Sequence, residues 1–309
     1  MAYCLFLPQF GQKLGQKLGQ ILLNLRIPPI DVVKGLNVQA IISLLTSHQS
    51  WLILTGAGVS AESGVPTYRD KKGVWQRLPP VTHQAFMADH YARQRFWARN
   101  MVGWRHMVEA QPNRAHRALV ALEKLGPVQY LVTQNVDGLH QRAGSQRVID
   151  LHGRVDTVSC MSCGLKYPRA PLQVWLEQHN PQYSKLTGTI APDGDADIDH
   201  LDFTQLQVPD CPHCDGILKP DAVFYGDSVS KDKLAFAQQQ LSQSEGLLVL
   251  GSSLAVYSGY RFCLWAQQQD KPIIILNDGA TRADHLAIAK AEGACATVLE
   301  QWLSQIANV

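Results

Sequence analysis

Residues 51–61, WLILTGAGVSA, decide the fold. Trp51 to Leu54 is an unbroken apolar run which, with Thr55, has the length of a buried strand, and Gly56-Ala57-Gly58-Val59-Ser60-Ala61 follows at once with the spacing G-x-G-x-x-[G/A]. Gly56 permits a tight turn. Gly58 lets backbone N–H groups approach a pyrophosphate, and Ala61 keeps the next helix close to the sheet with its N-terminal dipole facing the phosphates. A strand–helix turn that holds no ligand satisfies the same spacing.

Working outward, Gln129 to Thr133, Val148 to Leu151, Leu247 to Leu250 and Pro272 to Leu276 are further buried-strand runs. Between them lie helical segments, Val38 to Leu45 upstream and 83–125 downstream, the latter broken around Pro112-Asn113. Strands alternating with helices imply an α/β protein, a Rossmann-like parallel sheet with helices on both faces. A dehydrogenase would place an acid on the ribose hydroxyls about 20 residues after the glycines. Here that interval holds Ser63-Gly-Val-Pro-Thr-Tyr68-Arg69-Asp70, which reads as a loop over the site. The chain is expected to hold a dinucleotide without hydride-transfer geometry.

Ligands of open parallel sheets sit at the carboxyl ends of the strands. Four strand ends here are polar: Thr133-Gln134-Asn135-Val136-Asp137-Gly138, His152-Gly153, Gly251-Ser252-Ser253 and Asn277-Asp278-Gly279. Each has a plain alternative as turn or cap residues. Together, opposite a phosphate loop, they make a site, and His152 has the side chain suited to general-base work near neutral pH.

The rhythm stops over residues 158–218, which hold Cys160-Met-Ser-Cys163 and Cys211-Pro-His-Cys214. Each Cys-x-x-Cys hook supplies two thiolates, and an all-sulfur closed site is by default a structural zinc, Zn2+. His213 sits inside the second hook and is not needed as a ligand. The acidic run at 193–199 lacks the glutamate that closes a calcium loop and is expected to be solvated. The domain organisation is therefore 1–35 as a poorly ordered extension, 36–157 and 219–309 as two parts of the sheet domain, and 158–218 as an inserted four-cysteine zinc-binding module.

The composition suits a globular fold, with 309 residues, 46% hydrophobic and 17% charged. A net charge of +2 argues against nucleic acid as a partner, and no apolar run is long enough to span a membrane. Seven cysteines, four of them paired as metal hooks, point to a reducing compartment. A cytoplasmic location is expected, with a mitochondrial one as the alternative if residues 1–30, basic and free of acid, are a transit segment. The oligomeric state is left open.

These motifs resemble the sirtuin family from about residue 36 to the end. They are GAGVSAESGVPTYRD at 56–70, TQNVDGLHQRAG at 133–144, LHG at 151–153, the two cysteine hooks, KPDAVFYGD at 219–227, GSSL at 251–254 and ILND at 275–278. The long gap between hooks and VYSGYRF at 256–262 are most similar to class II sirtuins, the class that includes a mitochondrial member. The resemblance implies an NAD-dependent deacylase of acylated-lysine proteins that passes the acyl group to ADP-ribose. It places Gly56, Ala57, Gly58, Ser60, Ala61 and Glu62 around the pyrophosphate, with Tyr68 and Arg69 in the lid. Gly251, Ser252, Ser253, Asn277, Asp278, Gly279 and Cys295 fall on the adenosine side. Gln134, Asn135 and Asp137 line the nicotinamide pocket, His152 is the base with Asn135 and Asp137 beside it, and Val223, Phe224 and Gly226 meet the peptide as an added strand.

Two departures stand out. Thr67-Tyr68-Arg69 replaces the Asp-Phe-Arg of many relatives. Trp97-Ala98-Arg99-Asn100 stands where relatives that remove acidic acyl groups carry Tyr-x-x-Arg, which disfavours succinyl and malonyl lysine. Mono-ADP-ribosyl transfer to a protein, and a non-catalytic NAD-binding adaptor, are the competing readings.

Overall fold

The computed structural model describes residues 33–34, 38–67, 80–190, 194–198, 201–293 and 295–307. Most of the N-terminal extension, together with Tyr68 and Arg69, lies outside the described residues. Along the chain the strands are β1 Val33–Lys34, β2 Trp51–Thr55, β3 Val128–Thr133, β4 Val148–Asp150, β5 Gly153–Cys160, β6 Lys166–Pro168, β7 Thr189–Ile190, β8 Ala196–Asp197, β9 Leu218–Ala222, β10 Gly246–Leu250, β11 Ile273–Leu276 and β12 Ala289–Ala291. The helices are α1 Val38–Thr46, α2 Ala57–Ser60, α3 His83–Ala88, α4 His90–Glu109, α5 Arg114–Leu125, α6 Leu139–Ala143, α7 Arg169–His179, α8 Lys231–Gln243, α9 Tyr257–Gln268 and α10 Cys295–Ala307.

Among the described residues the main sheet has seven strands in the order β1-β12-β11-β10-β2-β3-β4. All its pairs are parallel. Its central strands β2, β10 and β11 are almost wholly apolar and fully buried because both faces are covered. Trp51, Ile53, Leu131, Leu248 and Ile274 point to one face and meet α1, α5 and α10 through Ile42, Leu119 and Trp302. The intervening Leu52, Leu54, Val132, Leu247 and Ile275 point to the other and meet α8 and α9 through Leu241 and Phe262. The chain runs from β2 toward β4 on one side and later places β10 on the other side of β2. That reversal opens a crevice at the carboxyl ends of β2 and β10.

The glycine loop departs from expectation in one respect. The helix after it is a single four-residue turn, α2, followed by a 3-10 turn at Ala61–Ser63. Gly64 adopts a left-handed φ of 83° and Pro66 follows, which together stop the helix. A full-length helix dipole is therefore not available to a phosphate here.

The smaller part is built on the antiparallel sheet β6-β5-β9 with α7. Its core joins Val158, Leu176, Phe203 and Leu218 to Phe86 of α3 and to Trp97 and Met101 of α4. Helices α3 and α4, which lie between β2 and β3 in the chain, thus pack into the cysteine-bearing module, while α5 stays with the main sheet. Arg169, fully buried, donates to Asn100 Oδ1 and Gln173 Oε1 and lies over the rings of Trp97 and Trp104 at 5.3 and 5.1 Å. Burial pulls its pKa down to about 9, so it stays charged near neutral pH.

Residues 194–198 of the acidic run correct a sequence-based expectation, while Asp193 and Asp199 lie outside the described residues. Asp195 is buried rather than solvated, with its Oδ2 2.9 Å from Arg99 Nε. Asp197 approaches the same guanidinium at 3.5 Å, and Asn100 donates to Gly194 O at 3.2 Å. The loop fits because α4 carries Gly103, where a Cβ would lie 2.4 Å from Gly194 O. A buried cation and a missing side chain on one helix turn an apparently soluble loop into a docked strap.

Candidate active site

A cleft of about 1120 Å³ lies at the carboxyl ends of β2, β3 and β10, reaching the end of β9 and the segment after it. Glycines set its floor. A Cβ on Gly56 would lie 2.7 Å from Ser252 Cβ, and one on Gly58 would lie 2.8 Å from Gly251 Cα. Gly251 itself has φ 57° and faces Val59 N across the same crossing. Two loops therefore pass backbone against backbone, sealed by Gly56 N–H to Leu250 O at 3.0 Å and Gly58 N–H to Gly251 O at 2.9 Å. The Gly58 N–H is thus spent on the loop crossing, while the residue still lines the cleft.

Behind the floor lies a polar cluster. Ser60, fully buried, donates to Asp137 Oδ2 at 2.7 Å, and Leu139 N–H donates to Asp137 Oδ1 at 2.8 Å. Asn135 Nδ2 donates to Ser60 Oγ at 3.0 Å and to Gly56 O at 3.1 Å. Burial raises the Asp137 pKa, opposed by these hydrogen bonds and by Arg142 and Arg154. Ser60, expected around a pyrophosphate, instead stands behind the cleft wall and braces Asp137 and Asn135. Both of those residues reach the cleft, as does Gln134, whose Nε2 donates to Ser252 Oγ at 2.8 Å.

His152 sits at the turn between β4 and β5, half-buried and facing the cleft. Its Nδ1 lies 3.0 Å from Gln134 O and its Nε2 lies 2.7 Å from Ser258 Oγ. A carbonyl oxygen only accepts, so Nδ1 carries the proton of the neutral ring. Nε2 then holds a lone pair that accepts the Ser258 O–H. Burial lowers the His152 pKa, the Gln134 hydrogen bond partly offsets this, and the charge of Lys233 lowers it further. The ring is a neutral base at physiological pH, with its basic nitrogen on the cleft side.

On the adenosine side, Asn277 is buried and donates to its own turn at Gly279 O, 3.1 Å away. Asp278 lines the cleft. Gly279, expected at the ligand, supplies the turn through its φ of 91° and accepts Lys290 Nζ at 2.9 Å, and it is not among the cleft-lining residues. Cys295 lines the cleft with Sγ 3.5 Å from Leu276 O, and burial pushes its thiol pKa up to about 11. The thiol therefore stays protonated near neutral pH. Ala57, Ala61, Glu62, Ser253, Val223, Phe224 and Gly226 also line the cleft. Val223 N–H donates to His152 O at 2.8 Å, and Phe224 packs on Phe86 and Phe96 at 5.3 and 5.1 Å. This ties the expected peptide segment to the base on one side and to the cysteine module on the other.

Cys160, Cys163, Cys211 and Cys214 bring their sulfurs within 4.8 Å of one another. Zn–S bonds near 2.3 Å in a tetrahedron require sulfurs about 3.8 Å apart. Cys160 and Cys214 are at 3.5 Å, and Cys163 and Cys211 are at 3.8 Å. Ser162 N–H and Cys163 N–H both point at Cys160 Sγ at 3.4 Å, as donors to a thiolate do. Tyr167 Oη is 3.2 Å from Cys211 Sγ. The quartet fits one structural zinc with no open position, and His213 stays outside it.

Sequence reasoning did not find Ser258, the Lys233 charge near His152, or the Arg99–Asp195 pair. Gly259 was the signal for the first. A glycine in the opening turn of α9 is costly for a helix and needs a packing reason. A Cβ there would lie 2.4 Å from Gln134 Oε1.

Fold and site together define an α/β protein with a dinucleotide cleft at the switch point of its sheet, a histidine base at the cleft wall and a four-thiolate metal module beside it. The Sir2 family profile matches residues 56–258, and the chain belongs to the Sir2 family. It is 50% identical over 261 residues to NAD-dependent protein deacetylase 2 of Bradyrhizobium diazoefficiens, covering 84% of this chain and 96% of that one. It is 46% identical over 275 residues to the mitochondrial NAD-dependent protein lipoamidase sirtuin-4 of Bos taurus, covering 88% and 86%. A solved Sir2–p53 peptide–NAD+ structure aligns with a TM-score of 0.69 at 28% identity, covering 89% of this chain and 100% of that one.

Proposed function

We propose that the protein is an NAD-dependent protein-lysine deacylase: it cleaves nicotinamide from NAD and transfers the acyl group of an acylated lysine to ADP-ribose. The observation that carries this reading is His152, a neutral Nδ1–H imidazole with Nε2 turned to a cleft of dinucleotide size. Gln134, Asn135 and Asp137 stand beside it on the adjacent strand end. A protein that only senses NAD needs neither a base in that tautomer nor a pocket for the departing base of NAD.

In this reading the two glycine-lined loops hold the pyrophosphate and the Asn277 turn faces the adenosine. Asn135, held by Gly56 O and Ser60, and Asp137, held by Ser60 and Leu139 N–H, face the nicotinamide amide. The acyl oxygen of lysine attacks the ribose carbon as nicotinamide leaves. His152 then takes a proton from a ribose hydroxyl, whose oxygen attacks the acyl-bearing carbon. A zinc held by Cys160, Cys163, Cys211 and Cys214 would be structural, closing the module on which α3 and α4 pack. The peptide lies along residues 223–226, between the two parts of the protein.

Acyl preference follows from the strap. Asp195 lines the cleft and, with Asp197, answers the charge of Arg99, so that guanidinium is not available to an acyl carboxylate. Neutral acyl groups are the expected substrates. The lipoamidase name of the bovine relative adds lipoyl lysine to the set worth assaying. A panel of acetyl-, lipoyl-, long-chain- and succinyl-lysine peptides with NAD checks this by mass spectrometry. Faster succinyl than acetyl removal would contradict the assignment. The cytoplasm is the proposed location and mitochondria the alternative.

A further inference from the structure

We propose that Ser258 is a catalytic residue of the proposed deacylation, a proton relay between the ribose hydroxyl and His152. The inference rests on that reading. His152 Nε2 has one lone pair, and Ser258 O–H occupies it at 2.7 Å, the shortest hydrogen bond of the ring. Both residues line the cleft. With Nε2 occupied, the acceptor within reach of a cleft hydroxyl is Ser258 Oγ, which keeps acceptor capacity while donating to the imidazole.

The placement is built, not incidental. Ser258 lies in the first turn of α9, and the next residue is Gly259, where a Cβ would lie 2.4 Å from Oε1 at the end of the Gln134 side chain. That missing side chain seats the start of α9 directly on the strand end whose carbonyl holds His152 Nδ1. One residue, Gln134, thus fixes both ends of the pair: its carbonyl orients the imidazole, and its amide packs under the helix that carries Ser258. Lys233, donating to Asp150 O, is the charged neighbour of His152 and favours the neutral ring that the relay needs.

The step balances as follows. The ribose O–H breaks as its proton passes to Ser258 Oγ, and the original Ser258 proton passes to His152 Nε2. The O–H electron pair stays on the ribose oxygen and forms its bond to the acyl-bearing carbon, whose C=N π pair moves onto the lysine nitrogen. Serine ends as it began, and histidine ends as the imidazolium.

The test separates the two stages of the reaction with Ser258→Ala, Ser258→Thr and His152→Ala. Exchange of labelled nicotinamide into NAD in the presence of acetyl-lysine peptide reads the first stage, which precedes any need for the base. Formation of O-acetyl-ADP-ribose reads the second. S258A should keep exchange within about twofold and lose acetyl transfer by about 10²-fold, the low end of what a lost acid–base partner costs. S258T should recover most of that loss. The solvent-isotope proton inventory of acetyl transfer should be curved in the parent enzyme, where two protons move together, and linear in S258A. Wild-type transfer rates and an unchanged inventory in S258A would overturn the relay while leaving the deacylase reading intact. Absence of both exchange and transfer in the parent enzyme would overturn the deacylase reading and the relay with it.

Discussion

At the scale of single residues, the chemistry turns on which nitrogen of His152 carries a proton. The Gln134 carbonyl answers that question, because it can only accept. Substituting His152 by Ala removes the proposed base without touching the glycine crossing or the Asp137 cluster. H152A is expected to fold, to bind NAD with near-parental affinity by calorimetry, and to lose acyl transfer by about 10²–10⁴-fold. Parental turnover by H152A would place the base elsewhere. The histidine was legible in the sequence because it stood at a strand end opposite a phosphate loop. Ser258 was not, because its partner is 106 positions away and only the packing of α9 brings them together. Ser60 shows the converse: its place follows from the motif spacing, but its side chain turns inward to Asp137, and motif spacing does not encode side-chain direction.

At the scale of elements, the glycines of the two loops act as a pair. The motif reading assigned Gly58 to the approach of a pyrophosphate. The structure adds that Gly58 and Gly251 meet backbone to backbone, so each requires the other to lack a side chain. A Cβ at Gly58 would sit 2.8 Å from Gly251 Cα, and backbone cannot swing aside as a long side chain can. Gly58→Ala should cost about 1–3 kcal/mol, the usual range for overpacking, and weaken NAD binding because the β10 loop is displaced. Thermal denaturation and NAD titration check this; an unaltered melting temperature with unaltered affinity would show that the loops yield freely. The α/β rhythm of the main sheet was legible because parallel strands buried on both faces read as unbroken apolar runs. The affiliation of α3 and α4 with the cysteine module was not, since helix periodicity marks a buried stripe without naming what covers it. The docking of the acidic strap was hidden for the same reason: Arg99 and Gly103 lie far from Asp195 in sequence.

At the scale of the whole molecule, two buried histidines make stability depend on pH. His116 and His140 have ring centroids 4.7 Å apart beneath the glycine loop, and both are essentially inaccessible. Burial, aided by Arg117, lowers the His116 pKa to about 4, and burial with the charge of His116 lowers His140 further below its ordinary value. Both pKa values lie below that of an unfolded histidine, near 6.5. Between pH 6.5 and about 4 the unfolded chain therefore binds more protons than the folded one. Their contribution is fully present above pH 6.5 and falls as the pH drops through that window, by up to about 3 kcal/mol for His116 alone. Denaturant melts at pH 7.5 and 5 should show the loss, and His116→Gln should flatten it. Equal melts at both pH values would mean that the pair titrates normally. The zinc quartet joins this scale, since it closes the module on which α3 and α4 rest, and it was fully legible because two Cys-x-x-Cys hooks carry their chemistry in their spacing.

The most direct test of the deacylase assignment is the stoichiometry of products when the purified protein meets NAD and an acetyl-lysine peptide. Mass spectrometry should find nicotinamide, deacetylated peptide and O-acetyl-ADP-ribose formed in equal amounts, all dependent on NAD. Nicotinamide release with ADP-ribose attached to protein, and no acetyl transferred, would contradict the assignment.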